Sequence, residues 1–205
     1  NTGDGFASWD RDADTKTPVA AGHLQTAASE RQTVICAGTI ARNDAGKLVN
    51  RHWIIRPDSI EHYDKIHLIA AFREPELLAC GTQPVVTSIG DTRTHVSTCF
   101  DLRFPELYRA AALDGAEVFL IIAEWPSNRA DALVTLWRAR AMENQAYVVL
   151  CNRTGDALNE MRFDGRSQII DPEGQVMTEA GSCQGFCTAE IDVERVRRLR
   201  TDFPV

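Results

Sequence analysis

No apolar run in the sequence comes near the roughly 20 residues that a membrane-spanning helix needs. The opening stretch, Asn1-Thr2-Gly3-Asp4-Gly5, has neither the basic nor the apolar region of a secretory leader. These two absences point to a cytoplasmic protein. Basic residues are not in excess: 22 Lys and Arg stand against 29 Asp and Glu, a formal charge of −7. An acidic chain without a basic stripe argues against nucleic acid and against anionic membranes as partners. The six cysteines, Cys36, Cys80, Cys99, Cys151, Cys183 and Cys187, include no Cys-x-x-Cys pair. Neither a zinc site nor a secreted disulfide framework has that spacing. Internal repeats and low-complexity segments are also missing.

What is present is ordinary for a globular enzyme. Of 205 residues, 44% are hydrophobic and 25% charged, enough apolar material for one sizeable core. Residues 1–17 are polar and Asp-rich and read as a loop or frayed start. His23 to Arg31 has helix-forming composition. Thr33–Ile40, Leu48–Ile55 and Ile60–Tyr63 read as strands, with Asn43-Asp44-Ala45-Gly46 as a turn. Residues 69–84 carry prolines and a glycine without a clean period and read as a long, functional loop. Val85–Ile89 and Thr94–Thr98 pair around Gly90-Asp91. Pro105 opens a helix that Asp114-Gly115 closes. Residues 117–123 are apolar almost throughout, as in a strand covered on both faces. Leu133, Leu136, Trp137 and Ala141 give a helical period over 129–144. Strands follow at 146–151, 168–171, 175–178 and 186–191, and Asp192 caps a last helix over 193–200. Strands interspersed with helices define a layered α/β or α+β class.

Cys99 ends a strand and precedes a helix, the place where a nucleophile is held rigidly and faces a cleft. The N–H of Phe100 would lie near a tetrahedral intermediate on its sulfur. The nearest histidine, His95, is four residues back along the same strand. At a rise of about 3.3 Å per residue it lies roughly 13 Å away, too far to activate the thiol. His62 and His67 flank Lys65 at a spacing that fits no common zinc motif, so no metal is expected. Cys36 and Cys151 sit in apolar runs and read as inert core thiols. Lys65 lies among apolar residues at a strand end, where a lysine is held as a partly desolvated point charge.

The ordered motifs say more. They are Tyr63-Asp64-Lys65-Ile66-His67-Leu68, Cys99-Phe100-Asp101-Leu102-Arg103-Phe104-Pro105-Glu106, Ala123-Glu124-Trp125-Pro126, residues 138–147, Cys151-Asn152-Arg153-Thr154-Gly155 and residues 165–174. Together they resemble the nitrilase superfamily of carbon–nitrogen hydrolases, and within it the omega-amidase-like branch. The resemblance covers nearly the whole chain. It implies a single domain over 1–205 with a four-layer αββα sandwich, no cofactor, and a homodimer formed through a helical face.

The resemblance also implies hydrolysis of small linear amides, such as the ω-amide 2-oxoglutaramate, through a cysteine thioester. Lys65 and Cys99 match the family's triad. A further carboxylate of the loop is best matched by Glu74, because Gly81 follows seven residues later; Glu76 is the alternative. Trp125 and Glu124 are candidates to line the pocket with Phe100, and Arg129 to pair a substrate carboxylate. Arg103, Arg140 and Arg153 are expected in structural ion pairs. The family's base glutamate precedes an Asn-Thr-Gly stretch, here Asn1-Thr2-Gly3. The resemblance therefore puts that glutamate, with an opening strand and helix, ahead of Asn1. A non-catalytic relative that only binds a partner or small acid is the alternative function.

Overall fold

The computed structural model describes residues 8–157 and 161–204; Asn1-Thr2-Gly3 lies outside them. The chain divides into two compact units, residues 1–83 and 84–205.

In the first unit a long helix, α1 (Trp9–Arg31), packs on an antiparallel sheet. The strands are β1 (Ile35–Arg42), β2 (Leu48–Ile55) and β3 (Ile60–Asp64), in that spatial order. At the first turn, the Asn43 side-chain oxygen accepts from the N–H groups of Ala45 and Lys47. The start of α1 departs from the loop expected over residues 1–17. Trp9 and Ala13 are buried against Ile40 and Leu78, with Leu48, Leu68 and Leu77 around them. Thr17 donates to the Ile40 carbonyl at 2.6 Å. Arg42 on β1 reaches Asp14 at 2.7 Å. Pro18 lies inside this helix. An interior proline costs a helix about 3 kcal/mol, and these contacts to the sheet outweigh it.

After β3 the chain makes a 3₁₀ turn, Ala70–Phe72, and a one-turn helix α2 (Glu74–Leu77). Gly81 donates its N–H to the Lys65 carbonyl at 2.8 Å. A Cβ on Gly81 would stand 1.9 Å from the Asp64 carbonyl oxygen, so only glycine allows this approach.

The second unit is built on a six-stranded sheet. Its strands are β4 (Val85–Ile89), β5 (Thr92–Thr98), β6 (Val118–Ala123), β7 (Tyr147–Asn152), β10 (Gln168–Ile170) and β11 (Val176–Glu179). The spatial order is β11-β10-β7-β6-β5-β4. β5, β6 and β7 are parallel; the outer pairings are antiparallel. Between β5 and β6 runs α3 (Pro105–Leu113), and between β6 and β7 runs α4 (Ala130–Asn144).

Alternation along the strands sends Phe119 and Val118 to opposite faces. On one face Tyr108 of α3 stacks edge-on against Phe119 at 5.2 Å, and His95 of β5 joins them at 5.4 Å from the Tyr108 ring. On the other, Val118 and Tyr147 pack with Val196 of α5 (Val193–Asp202). Asp192 caps α5 by accepting the Glu194 N–H.

Three local expectations change. Residues 186–191 form no strand. They take no regular secondary structure, with Ile191 on the Val118–Tyr147–Val196 cluster and Phe186 exposed. A small hairpin, β8 (Thr154–Asp156) with β9 (Arg162–Asp164), appears where the polar sequence gave no period. Cys151 is exposed rather than a core thiol, because it alternates outward between buried Leu150 and Asn152. Cys36 is half-buried, and burial pushes its thiol up to about 11. Among the described residues no helix is long and apolar enough to cross a membrane.

Candidate active site

Two constellations hold the candidate residues, one in each unit. In the first, β3 ends at Asp64, which takes a bidentate pair from Arg51 at 2.7 and 2.9 Å. The next residue, Lys65, has its N–H on the Asn50 carbonyl. Its side chain is buried at 2% exposure, and its ammonium donates to both carboxylate oxygens of Glu74 at 2.9 and 2.7 Å. The Ile69 N–H also donates to Glu74, at 2.7 Å. Two buried charges are tolerable only when paired and hydrogen-bonded, and both conditions hold here. Glu76 stands apart. It is exposed and pairs with Arg73, whose hydrogen bond holds its carboxyl below the usual range.

In the second, the chain leaves β5 at Thr98 and turns sharply. Cys99 has φ +50°, the left-handed region that a non-glycine residue rarely occupies. A 3₁₀ turn runs over Cys99–Arg103, and buried Asp101 accepts the Thr98 N–H at 3.0 Å. Phe100 is the second residue of this turn. The first N–H groups of such a turn have no acceptor within it, and a capping box closes on the third, the Asp101 N–H donating to the Thr98 side chain.

The Cys99 thiol lies 3.8 Å from the Glu124 carbonyl, which it approaches as a donor. Glu124 follows the end of β6, and its side chain faces Arg153 at 3.6 Å. Trp125 is fixed by Asn152: its N–H donates to the Asn152 side-chain oxygen at 2.8 Å. The Asn152 amide nitrogen donates in turn to the Gly165 carbonyl at 2.7 Å. The Trp125 indole N–H donates to the Arg129 carbonyl, and the Arg129 side chain is exposed.

Sequence reasoning missed two features of this arrangement. Asn152 appeared only as a letter in a motif, and its clamp on Trp125 depends on strands meeting side by side. Arg103 was expected in an ion pair. Instead its half-buried guanidinium lies over the rings of Trp125 at 5.2 Å and Phe100 at 5.9 Å. No carboxylate or carbonyl takes it among the described residues. The usable signal was its position, four residues after the cysteine between aromatic side chains.

His95 is a core residue, fully buried, with Nδ1 on the Val85 carbonyl at 2.9 Å. Burial drives its pKa from 6.5 down to about 4, with the Val85 bond and the Asp101 charge opposing. Between these values the unfolded chain binds a proton that the folded chain refuses. Stability from this site is therefore unaffected above about pH 6.5 and falls by about 3 kcal/mol as the pH drops toward 4. His95→Gln does not titrate, so its urea midpoint should fall less than the parent's on going from neutral pH to about pH 4.5. Parallel losses in the two proteins would rule this out.

Among the described residues no group of three His, Cys, Asp or Glu side chains converges as a metal site would. The chemistry on hand is a thiol on a left-handed turn beside the Phe100 N–H, a buried ammonium–carboxylate pair, and a stacked arginine.

Comparison with known proteins gives this chemistry a family. The carbon–nitrogen hydrolase family matches residues 12–201. The 2-oxoglutaramate amidase of Bacillus subtilis is 34% identical over 206 residues, covering 100% of this chain and 79% of the relative. The omega-amidase YafV of Yersinia enterocolitica is 35% identical, covering 86% of this chain and 69% of the relative. The crystal structure of XC1258 from Xanthomonas campestris, a CN-hydrolase superfamily protein with an arsenic adduct in its active site, has a TM-score of 0.85 at 30% identity. That match covers 90% of this chain and 72% of XC1258. Saccharomyces cerevisiae Nit3, of branch 10 of the nitrilase superfamily, has a TM-score of 0.79 at 26% identity, covering 91% of this chain and 70% of Nit3. The fold is thus the nitrilase-like α/β sandwich, and the chain belongs to the carbon–nitrogen hydrolase family, as an enzyme acting on amides.

Proposed function

We propose that the protein hydrolyses the terminal amide of a small dicarboxylic acid monoamide, such as 2-oxoglutaramate, through a thioester on Cys99. A general base takes the thiol proton and the sulfur attacks the amide carbonyl. The Phe100 N–H and the Lys65 ammonium stabilise the oxyanion, and Glu74 orients Lys65. The C–N bond breaks, and ammonia leaves with a proton. Water then attacks the thioester, releasing the acid and restoring the thiol. Glu124 and Trp125 belong to the pocket wall in this reading. Residues 1–205 act as one catalytic domain.

The observation that carries the substrate class is Arg103, a half-buried cation stacked on two aromatic rings and without a counter-ion among the described residues. Such a guanidinium suits a carboxylate of the ligand. The names of the relatives above agree with it. Arg129 is the second candidate, more exposed and so worth less. Arg103→Met should raise KM for 2-oxoglutaramate or succinamate by about ten- to a hundredfold, the worth of one charge-assisted hydrogen bond. Turnover of an uncharged amide of equal length should change little, and Arg129→Met should have the smaller effect. Equal losses on charged and uncharged amides would remove Arg103 from this role.

A cytoplasmic location and a homodimer are part of the same reading. A catalytic thiol among other unpaired cysteines suits a reducing compartment. Exposed Leu113 of α3 and Met142 of α4 offer apolar surface to a second copy.

A further inference from the structure

We propose that Arg140 of α4 is a positioning residue that holds the Cys99 turn in its left-handed conformation by gripping it from both sides. The proposal rests on the reading of Cys99 as nucleophile.

On the C-terminal side of the turn, Arg140 Nε and Nη2 both donate to the Leu102 carbonyl, at 3.1 and 2.9 Å. On the N-terminal side its guanidinium lies over the Tyr108 ring at 5.5 Å. The Tyr108 hydroxyl is 2.7 Å from the Ser97 hydroxyl, two residues before Cys99. The remaining arm of the fork, Nη1, donates to Glu143 at 2.7 Å. Glu143 is itself held, its carbonyl taking a hydrogen bond from Arg109 of α3. Arg140 is 4% exposed, so its charge is paid for inside the protein by Glu143 and the Leu102 carbonyl.

The grip matches a need of the turn. Cys99 at φ +50° tends to relax toward ordinary backbone angles, and such strain persists only where the surroundings over-determine it. Relaxation would swing the Phe100 N–H away from the oxyanion position. A rigid planar fork that bonds one carbonyl twice, a carboxylate once, and an aromatic face has no equivalent among other side chains. Lysine keeps the charge but lacks the second bond and the stacking plane.

The test compares Arg140→Met, Arg140→Lys and Leu133→Ala. Leu133 is a buried core residue of the same helix, and its variant controls for lost stability. Two reagents probe Cys99, read by peptide mass spectrometry. Iodoacetamide carries an amide that must seat as the substrate does; methyl methanethiosulfonate reports only the exposure of the thiol. In Arg140→Met the iodoacetamide rate should fall while the thiosulfonate rate holds. The kcat should fall about a hundredfold, as on losing one oxyanion donor. KM should stay within about threefold, because ground-state binding is not the target. Arg140→Lys should lie between, and Leu133→Ala should keep both reagent rates and kcat.

The proposal fails if both reagent rates hold in Arg140→Met, if both fall together, or if Leu133→Ala shows the same selective loss. Should Arg140→Met not fold, Arg140→Lys and Glu143→Gln are read against the same criteria. Turnover surviving in Cys99→Ala would instead remove the nucleophile reading, whatever Arg140 does.

Discussion

Cys99→Ala should release no ammonia from an ω-amide, a loss of at least about 10³-fold in kcat, and should form no thioester. The parent protein, quenched during turnover, should carry the acyl group on the peptide containing Cys99 and on no other cysteine. The other five thiols serve as internal controls. Cys36 is held at about 11 by burial, so almost none of it is thiolate at neutral pH. Burial also pushes the Cys187 thiol up, with Cys151 and Glu179 adding to the effect. Cys80, Cys151 and Cys183 are exposed but lie in ordinary backbone. Only Cys99 combines a left-handed turn with leading N–H groups that have no acceptor within the turn. An acyl group found on another cysteine, or undiminished turnover in the alanine variant, would contradict the assignment.

The second large effect concerns Lys65 and Glu74, and it separates folding from chemistry. Lys65→Met should destabilise the protein by about 3–5 kcal/mol, because it leaves the Glu74 carboxylate buried and uncompensated. Replacing both, Lys65→Met with Glu74→Leu, removes both buried charges and should recover most of that stability. Recovery should be incomplete, since the Ile69 N–H then loses its acceptor. Ammonia release should stay abolished in the single and the double variant alike. Urea midpoints and an ammonia assay on the same samples read both outcomes. A double variant as unstable as the single one would show that the pair does not act as a buried ion pair. Full activity in either would deny Lys65 a part in the reaction.

The sequence made some of this legible and hid the rest for physical reasons. The strand over 48–55 was plain, because dense β-branched and aromatic residues are bounded by turn chemistry. The strand–turn–helix setting of Cys99 was equally plain. The choice of Glu74 over Glu76 rested on Gly81 alone; what the sequence hid is that Glu74 is buried on Lys65 while Glu76 is exposed on Arg73. The start of α1 was hidden because its buried stripe consists of Trp9, Asp12, Ala13 and Thr17, which carries little apolar signal. The 186–191 segment has the alternation of a strand but no partner in a described sheet, and pairing cannot be read from one strand. The roles of Arg103, Arg140 and Asn152 each require two elements far apart in sequence to lie side by side.

The three parallel strands end level with one another. Thr98 aligns with Ile122, and Ala123 with Asn152. The residues that follow, Cys99, Glu124 and Arg153, therefore emerge along one rim, each from its own strand. The thiol's geometry is set by the first exit, anchored to α4 behind the sheet. The pocket wall proposed for Glu124 and Trp125 comes from the exit of the second, braced by Asn152 and Arg153 of the third. In the proposed reaction the sulfur and the Arg103 that meets the substrate's charge share that first exit, while the rest of the wall comes from other stretches of chain on a common frame. On that reading, drift in residues 124–129 retunes the size and shape of the amide accepted while the sulfur and the arginine beside it stay where they are, a division of labour that lets one scaffold diversify.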